Sequence, residues 1–278
     1  MFSAISGLRS HQIMLDVTAN NIANVNTLGF KAQRTSFKEA LSQTQKGASG
    51  SSTALGGTNP AQIGLGVTLS GIDNLMSSGA VQSTGGTLDM AVQGDGFFRL
   101  KTLDGTGSLS TDSVYTRAGN FTLDRDGFLV SQDGYYVVGY AYDPVADAMT
   151  TTETRIQVPA GTKTITVGQD GKVSAVDAAG TVTVVAGITL AKFPNAAGLE
   201  RAAANLYRVS NNSGLEIAGT PGDTNGLGVL VPGAVEMSNV DLAQEFTSMI
   251  TAQRGFQANT RIISAADEML QQLANVGR

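Results

Sequence analysis

The sequence predicts an α+β protein, with a long helix near each end of the chain and an antiparallel β-rich domain between them. Three observations support this fold class. Apolar residues recur at helical spacing near both termini. Short β-branched runs separated by turn residues fill the middle of the chain. No helical period separates these runs, which favours an antiparallel sheet or an open barrel over a parallel α/β fold.

The N-terminal segment, residues 1–30, is predicted to be a helix over most of its length. A heptad-like stripe, apolar except at Gln12, recurs at alternating spacings of three and four residues, at Ile5, Leu8, Gln12, Leu15, Ala19 and Ile22. An Asn-rich stretch before Gly29 suits a helix end, because Asn and Gly tolerate left-handed backbone. The single histidine of the chain, His11, is placed on the polar face of this helix.

Residues 31–87 are predicted to form an amphipathic segment followed by a long connecting loop. Phe30, Phe37 and Leu41 mark the amphipathic part, and residues 47–72 then contain no charged side chain. Disordered linkers usually combine charge with low hydrophobicity. Here apolar residues punctuate the segment at Leu55, Ile63, Leu65, Val67 and Leu69. We therefore expect the loop to lie against protein.

Residues 88–237 carry the β signature, with runs such as LDMAVQ, FFRL and YYVVGYAY. Asp-Gly pairs begin at Asp95, Asp104, Asp126, Asp133 and Asp170. Asp-Gly between apolar runs is a strong signal for a hairpin turn. The stretch from Asp124 to Gly127 resembles the start of a calcium loop, but Phe128 stands where an oxygen ligand is needed. A hairpin turn explains these residues without a metal.

The C-terminal segment, residues 238–278, returns to helix. Ser238 and Asp241 are spaced as a capping box, and an apolar stripe follows with a period of seven residues. The polar face carries Thr, Ser, Gln and Asn where a solvent-exposed helix usually has Glu and Lys. Gly255 should cost about 1 kcal/mol relative to Ala in an exposed helix. We expect another backbone to pack there, and favour contact between subunits over contact with the β domain of the same chain.

Composition narrows the possible functions. Charged residues make up 15% of the chain, against about 25% in an ordinary soluble domain, so much of the polar surface is predicted to face something other than water. A net charge of −5 without a basic stripe argues against binding nucleic acid. There is no apolar run long enough for membrane insertion, and no signal-peptide pattern at the start.

The residue inventory also argues against an enzyme. With no cysteine and one histidine, thiol chemistry, a Ser-His-Asp triad and a two-histidine zinc site are all disfavoured. We predict no cofactor and no catalytic residue. Carboxylate chemistry such as glycoside hydrolysis remains formally open. A secreted β-rich binding module is the alternative from a different functional class.

Four segments of the sequence resemble the bacterial flagellar rod and hook proteins. These are LDVTANNIANVNTLGFKAQRTSF, LDMAVQGDGFFRL, YTRAGNFTLDRDGFLVSQDGYYVVGY and the C-terminal EMSNVDLAQEFTSMITAQRGFQANTRIISAADEMLQQLANV. Within the family, TNPAQIGLGV and QRGFQANTRII look most like hook subunits, in a short form without an extra outer domain. A distal rod subunit is the close alternative.

The resemblance implies a subunit that polymerises into a tube, with both terminal helices paired as an inner coiled coil and the β-rich domain outside. It further implies a flexible universal joint that transmits motor torque to the filament. The implied partners are other copies of the chain, the distal rod protein, the hook cap, the hook–filament junction protein and the flagellar export apparatus. Type III export would then place the protein outside the cell, in the flagellum. The predicted assembly interface consists of Ile5, Leu8, Leu15, Ile22, Leu242, Phe246, Met249, Phe256, Ile263 and Leu270.

Overall fold

The computed structural model describes residues 2–50, 56–104, 107–143, 148–223 and 225–276. The chain divides into two compact units. Unit 1 comprises Met1–Ala23, Gln33–Leu75 and Val240–Arg278, and unit 2 comprises Asn24–Ala32 and Met76–Asn239. The predicted order of helix, β-rich middle and helix is confirmed, and every strand pairing described is antiparallel.

Unit 1 contains both long helices and four strands. Its elements are α1 (Phe2–Ala23), β1 (Gln33–Glu39), β2 (Ser42–Lys46), β3 (Ala61–Gly64), β4 (Val67–Asn74) and α2 (Leu242–Val276). Helix α2 has 35 residues, which corresponds to about 52 Å at ~1.5 Å per residue.

A two-stranded ribbon occupies most of the segment that was predicted to be a loop. Strand β1 pairs with β4 from Gln33 opposite Asn74 onward, β2 pairs with β3, and a bridge joins Ser49 to Thr58. The loop prediction for 47–72 is therefore wrong over most of its described length. Its apolar residues from 63 to 69 alternate with period two, which is the period of a strand. Leu55 lies outside the described residues.

The start of α2 also differs from the prediction. The helix begins at Leu242, and the side chain of Asp241 caps it by accepting hydrogen bonds from the backbone N–H groups of Ala243 (2.9 Å) and Gln244 (3.3 Å). Asp241 is thus the N-cap itself rather than the third residue after a Ser238 cap.

Unit 2 holds the remaining strands and one 3-10 turn, Ala196–Gly198. The strands are β5 (Val81–Ser83), β6 (Met90–Gln93), β7 (Phe97–Leu103), β8 (Leu109–Thr116), β9 (Phe121–Leu123), β10 (Leu129–Ser131), β11 (Tyr136–Asp143), β12 (Ala148–Arg155), β13 (Thr162–Val167), β14 (Lys172–Asp177), β15 (Val182–Ile188), β16 (Leu190–Lys192), β17 (Glu200–Arg201), β18 (Leu206–Arg208), β19 (Ile217–Gly219), β20 (Val229–Pro232) and β21 (Ala234–Glu236).

The main sheet runs in the order β13-β14-β15-β11-β7-β8-β18-β17, while β6 pairs with β20 and β5 with β21. Strand β7 is buried on both faces. Phe98 and Leu100 belong to the larger apolar core. Phe97, one residue away and so on the other face, joins Tyr115 and Phe193 in a smaller, aromatic core. Strand β8, with its Ser- and Thr-rich sequence, is one that sequence analysis missed.

Three of the Asp-Gly pairs lie in described hairpin turns, as predicted. Asp126 is in the turn between β9 and β10, Asp133 in that between β10 and β11, and Asp170 in that between β13 and β14. The turn after Asp104 joins the paired strands β7 and β8, but its Gly105 lies outside the described residues. Asp95 is not in a hairpin turn, because it connects β6 to β7 and these two strands do not pair with each other.

The stretch after α1 belongs with the β unit, although the prediction assigned residues up to 30 to the helical segment. Helix α1 ends at Ala23, and Phe30, Lys31 and Ala32 are buried in unit 2. Gly29 has a φ of +65° and packs so closely on the backbone of Ala118 that a side chain would not fit. This close approach fixes the chain where it enters unit 2.

Candidate assembly surfaces

The two helices of unit 1 lie antiparallel and in contact along most of α1. Three contacts give the direction: Gly7 lies against Asn259, His11 against Gly255, and Asn21 hydrogen-bonds to Glu245. As residue numbers rise along α1 they fall along α2. We call this contact line the interhelix seam. The structure shows the pairing of the helices, while a supercoiled, knobs-into-holes arrangement stays a prediction.

Small residues allow the close approach at the interhelix seam. A Cβ atom on Gly255 would lie 2.5 Å from Nε2 of His11, and one on Gly7 would lie 2.8 Å from Nδ2 of Asn259. Ala252 is fully buried. Gly255 therefore packs against α1 of its own chain, where the sequence analysis favoured a second subunit. His11 is half-buried in this contact rather than placed on a solvated polar face.

A buried amide organises one end of the interhelix seam. The side chain of Asn21 accepts a hydrogen bond from the N–H of Gln33 (3.0 Å) and donates to the carbonyl of Gln33 (2.8 Å) and to Oε1 of Glu245 (3.0 Å). It thus joins α1, β1 and α2. Burial raises the pKa of Glu245 above its usual value, and the hydrogen bond from Asn21 only partly opposes this shift.

On α1, the predicted assembly residues lie beside the interhelix seam rather than in it. On α2, Phe256 and Ile263 are three and four residues from Asn259 and share the face that meets α1. The buried positions of α1 are Ala4, Ser10, Thr18 and Asn21, and the predicted stripe is displaced by about one residue, or ~100° around the helix, from the contact line through Gly7 and His11. Its members are half-buried at Leu8, Leu15, Ile22, Met249, Phe256 and Ile263, and exposed at Ile5, Leu242, Phe246 and Leu270. Each therefore keeps apolar surface that the chain does not cover.

A groove of about 630 Å³ runs between α1 and the ribbon, on the side of α1 that faces away from the interhelix seam. Its apolar lining comes from Phe2, Ile5, Ile13, Leu65, Val67 and Leu69, and its charged lining residue is Arg9. Ser6 fixes the ribbon to the helix, because its hydroxyl oxygen accepts a hydrogen bond from the N–H of Val67 (3.2 Å). The groove is thus a second uncovered apolar surface of unit 1.

Three charged residues form a buried cluster in unit 2, which we call the junction cluster. Glu236 accepts hydrogen bonds from Nζ of Lys31 (2.6 Å), Nη1 of Arg117 (3.2 Å) and the N–H of Gly79 (2.8 Å). The side chains of Lys31 and Glu236 have 0% exposure. Burial lowers the pKa of Lys31, opposed by its pairing with Glu236. The cluster therefore ties together the three stretches of unit 2 that adjoin unit 1 along the chain.

The junction cluster was not predicted from the sequence. The sequence does hold a signal for it, because two of its charged residues have uncharged sequence neighbours. Lys31 stands between Phe30 and Ala32, and Glu236 between Val235 and Met237. In a chain with so few charges, such isolated residues are candidates for burial in pairs.

A second charged cluster of unit 2 bears on the enzyme alternative. Nη2 of Arg99 donates to Glu153 (2.8 Å) and to Glu216 (3.0 Å), and Nζ of Lys101 donates to Glu153 (2.7 Å). Burial favours a raised pKa for Glu153, but the hydrogen bonds from Lys101 and Arg99 outweigh it and hold this pKa below its usual value. Glu153 is thus kept ionised, the opposite of what a general acid of glycoside hydrolysis requires.

Two further findings concern other kinds of site. Within the described ranges, no three His, Asp or Glu side chains group so that they could hold a metal ion. Among the helices of the described residues, none is both long enough and apolar enough to cross a membrane.

Three family models match the chain. Residues 1–31 match "Flagella basal body rod protein", residues 91–175 match "Flagellar hook protein FlgE/F/G D1 domain", and residues 231–276 match "Flagellar basal body rod FlgEFG protein C-terminal". All three members of the junction cluster lie within or near these matches, Lys31 in the first, Arg117 in the second and Glu236 in the third.

Relatives that align along nearly the whole chain are named as flagellar rod proteins. The chain is 48% identical to the flagellar basal-body rod protein FlgG of Bacillus subtilis, over 100% of this chain and 98% of the relative. It is 36% identical to FlgG of Agrobacterium fabrum, over 96% and 94%. The flagellar hook protein FlgE of Borreliella burgdorferi is 42% identical, over 59% of this chain and 36% of the relative.

Proposed function

This chain belongs to the flagellar rod and hook protein family, and from that membership we propose that it is a structural subunit of the basal-body rod. The observation that carries the proposal is the 48% identity to a rod protein along the whole chain. The preference for a hook subunit, which the sequence analysis drew from two short segments, is not confirmed. The hook relative aligns with only 59% of this chain.

We propose further that the chain self-assembles through unit 1. The interhelix seam is made largely of small and polar residues, and pairing of α1 with α2 leaves the larger apolar side chains partly uncovered. Phe246, Ile250 and Leu270 are exposed on α2. Phe246 and Ile250 lie one turn apart, and contiguous apolar surface of this kind usually marks an interaction site. Copies of the chain packed side by side would cover it, as expected for a tube with the helices inside.

Low charge supports the same proposal. Helix α1 contains no Glu or Lys, and residues 47–72, which include β3 and most of β4, carry no charged side chain. Burying such surfaces avoids the desolvation cost of charge. If the chain is a rod subunit, hook subunits are its neighbours at one end of the rod. Export by the type III route follows from the same proposal.

Electron microscopy of basal bodies from a strain lacking this gene product tests the rod assignment. We expect a truncated rod without a hook, restored when the chain is supplied in trans. A complete rod that lacks only the hook would instead support the second candidate, the hook subunit, which the 42% identity to a hook protein keeps open.

A purified full-length chain tests self-assembly separately. At raised concentration it should sediment as polymer and form tubes or protofilaments on a grid. A chain that stays monomeric and binds a glycan would support the secreted binding module instead.

A further inference from the structure

The C-terminal end of α2 extends beyond the helix that it packs against. Along the interhelix seam, Gly7 lies opposite Asn259 and His11 opposite Gly255, so this register carries Phe2, the first described residue of α1, to a position opposite residue 264. Residues 265–275 therefore have no part of α1 beside them. At ~1.5 Å per residue this overhang is about 16 Å long.

The overhang carries an uncovered apolar face. Met269 is 60% exposed, Leu270 55% and Leu273 69%. With Ile262, which is also exposed, they fall within about 100° of one another around the helix axis. Leu270 and Leu273 continue the face of α2 that packs on α1 earlier in the helix. Within the described residues, nothing from α1 covers this face along the overhang.

The groove between α1 and the ribbon is the complementary surface. It lies on the side of α1 away from α2 and is lined by apolar side chains, among them Phe2, which is 86% exposed. Its α1 side runs from Phe2 to Ile13, about 16 Å at ~1.5 Å per residue. This length matches that of the overhang.

Charge is complementary as well. Arg9 is the charged residue in the groove lining. Asp267 flanks the apolar face of the overhang, adjoining Leu270, whereas Glu268 points to the opposite side. An overhang seated in the groove can therefore bring Asp267 towards Arg9 while Glu268 stays outside.

We propose that the overhang of one copy docks into the α1–ribbon groove of a second copy. A chain cannot fill its own groove, because the overhang projects past the start of α1 and the groove lies along α1 on its other side. Two different surfaces on each copy make a head-to-tail contact, which generates an open helical assembly when the rotation between successive copies does not close into a ring. This inference rests on the proposed self-assembly and names the surfaces that carry it.

Disulfide trapping between copies tests the docking, since the chain has no native cysteine. Two single variants, Ile13→Cys and Leu270→Cys, are mixed, polymerised and oxidised. A second mixture pairs Ile5→Cys with Leu270→Cys to allow for a different register. A disulfide requires Cα atoms within about 7 Å, and a link between two single variants can only join two copies. We expect a dimer that disappears on reduction in at least one mixture.

The matched control replaces Leu270→Cys with Glu268→Cys, two residues away on the opposite side of the overhang. It should polymerise equally well and give little or no dimer. Equal linking by both would show that the overhang contacts neighbours without a defined face, and would overturn the docking. Polymer without a link in either mixture would overturn it too, while leaving the proposed rod subunit intact. If the parental chain itself does not polymerise, the proposed self-assembly fails and this inference falls with it.

A charge exchange gives an independent check. Arg9→Glu should weaken polymerisation of the parental chain, and adding Asp267→Arg should restore it. A double variant that polymerises no better than Arg9→Glu alone would count against the proposed orientation.

Discussion

At the scale of single residues, the carboxylate of Glu236 joins three separate stretches of unit 2. It is fully buried and paired with Lys31 and Arg117, whose guanidinium also donates to the carbonyl of Gly94 (2.9 Å) and lies 5.1 Å from the ring centroid of Phe97. A buried ion pair adds little net stability by itself, but removing one partner leaves an uncompensated charge.

We predict that Glu236→Gln strongly destabilises unit 2. Two buried cations would lose their counter-ion, at a cost of about 3–5 kcal/mol. Urea unfolding of the full chain, followed through the Tyr signal, measures the loss. The control is Lys172→Gln, which breaks the exposed pair of Lys172 with Asp170 (3.5 Å) and should cost at most about 1 kcal/mol. Equal shifts for both variants would contradict a structural role of the junction cluster.

Gly255 is kept small by its neighbour on α1. In an isolated helix Gly→Ala is stabilising by about 1 kcal/mol, but here the new Cβ would lie 2.5 Å from the ring of His11. We therefore predict that Gly255→Ala lowers the melting temperature of the helical signal. Adding His11→Ala should recover the loss, since it removes the ring. A single Gly255→Ala variant more stable than the parent would show that the helices do not meet there.

The raised pKa of Glu245 predicts a pH dependence of the helix pair. The folded state disfavours the ionised carboxylate because burial desolvates it, so the folded pKa of Glu245 lies above its usual value. Protonation then favours the folded form, and stability should rise as the pH falls from neutral through the folded pKa. Glu245→Gln should remove this part of the pH dependence while keeping an acceptor for Asn21. Thermal melts of parent and variant at neutral and mildly acidic pH measure the difference. An equal change in melting temperature with pH for the two proteins would contradict the prediction.

At the scale of elements, α1 carries a small and polar line of residues and a larger apolar line about 100° apart, and on α2 the two corresponding lines adjoin. The small and polar line makes the interhelix seam, and the larger apolar line remains partly exposed. Under the proposed self-assembly, this arrangement would let the same helix contact its own chain and a neighbouring copy. The ribbon adds a third surface, and together with α1 it forms the groove.

We predict that Phe256→Asp or Met249→Asp abolishes assembly and leaves unit 2 folded. A buried, unpaired carboxylate at a subunit contact carries a large desolvation cost, while unit 2 has its own core. Sedimentation measures assembly, and near-ultraviolet circular dichroism reports on the aromatic core. The control Ala258→Asp lies on the other side of α2, is exposed, and should assemble. Normal assembly of the two stripe variants would remove the stripe from the interface.

At the scale of the whole molecule, uncovered apolar surface is concentrated in unit 1, in the helices and the ribbon, whereas the strands of unit 2 enclose two apolar cores. Such a division suits a subunit whose helices complete their packing only in a polymer. Nucleating an isolated helix in water is costly, and most helix stability in proteins comes from packing, so the helices depend on contacts for their stability.

We predict that helicity rises sharply on polymerisation. Far-ultraviolet circular dichroism of the monomer at micromolar concentration should show less helix than α1 and α2 together contain, and the polymer should show all of it. A monomer that is already fully helical would contradict the expected link between assembly and folding.

The sequence by itself determined the order of elements and the family. Heptad-like stripes predicted both helices, and Asp-Gly pairs predicted hairpins, because each signal is local: it depends on spacing along one segment. The ribbon was missed although its period-two pattern was present, since low charge and many Gly and Ser residues suggested a loop.

Only the tertiary structure decided which faces meet. A stripe of apolar residues shows that a helix has a face to bury, but does not say whether its partner is the same chain or another. Here the intrachain contact is made by Gly7, His11 and Gly255, because small residues let backbones approach, and the apolar stripe stays partly exposed. The pairing of Lys31, Arg117 and Glu236, distant in sequence, likewise arises only when the three stretches that carry them converge.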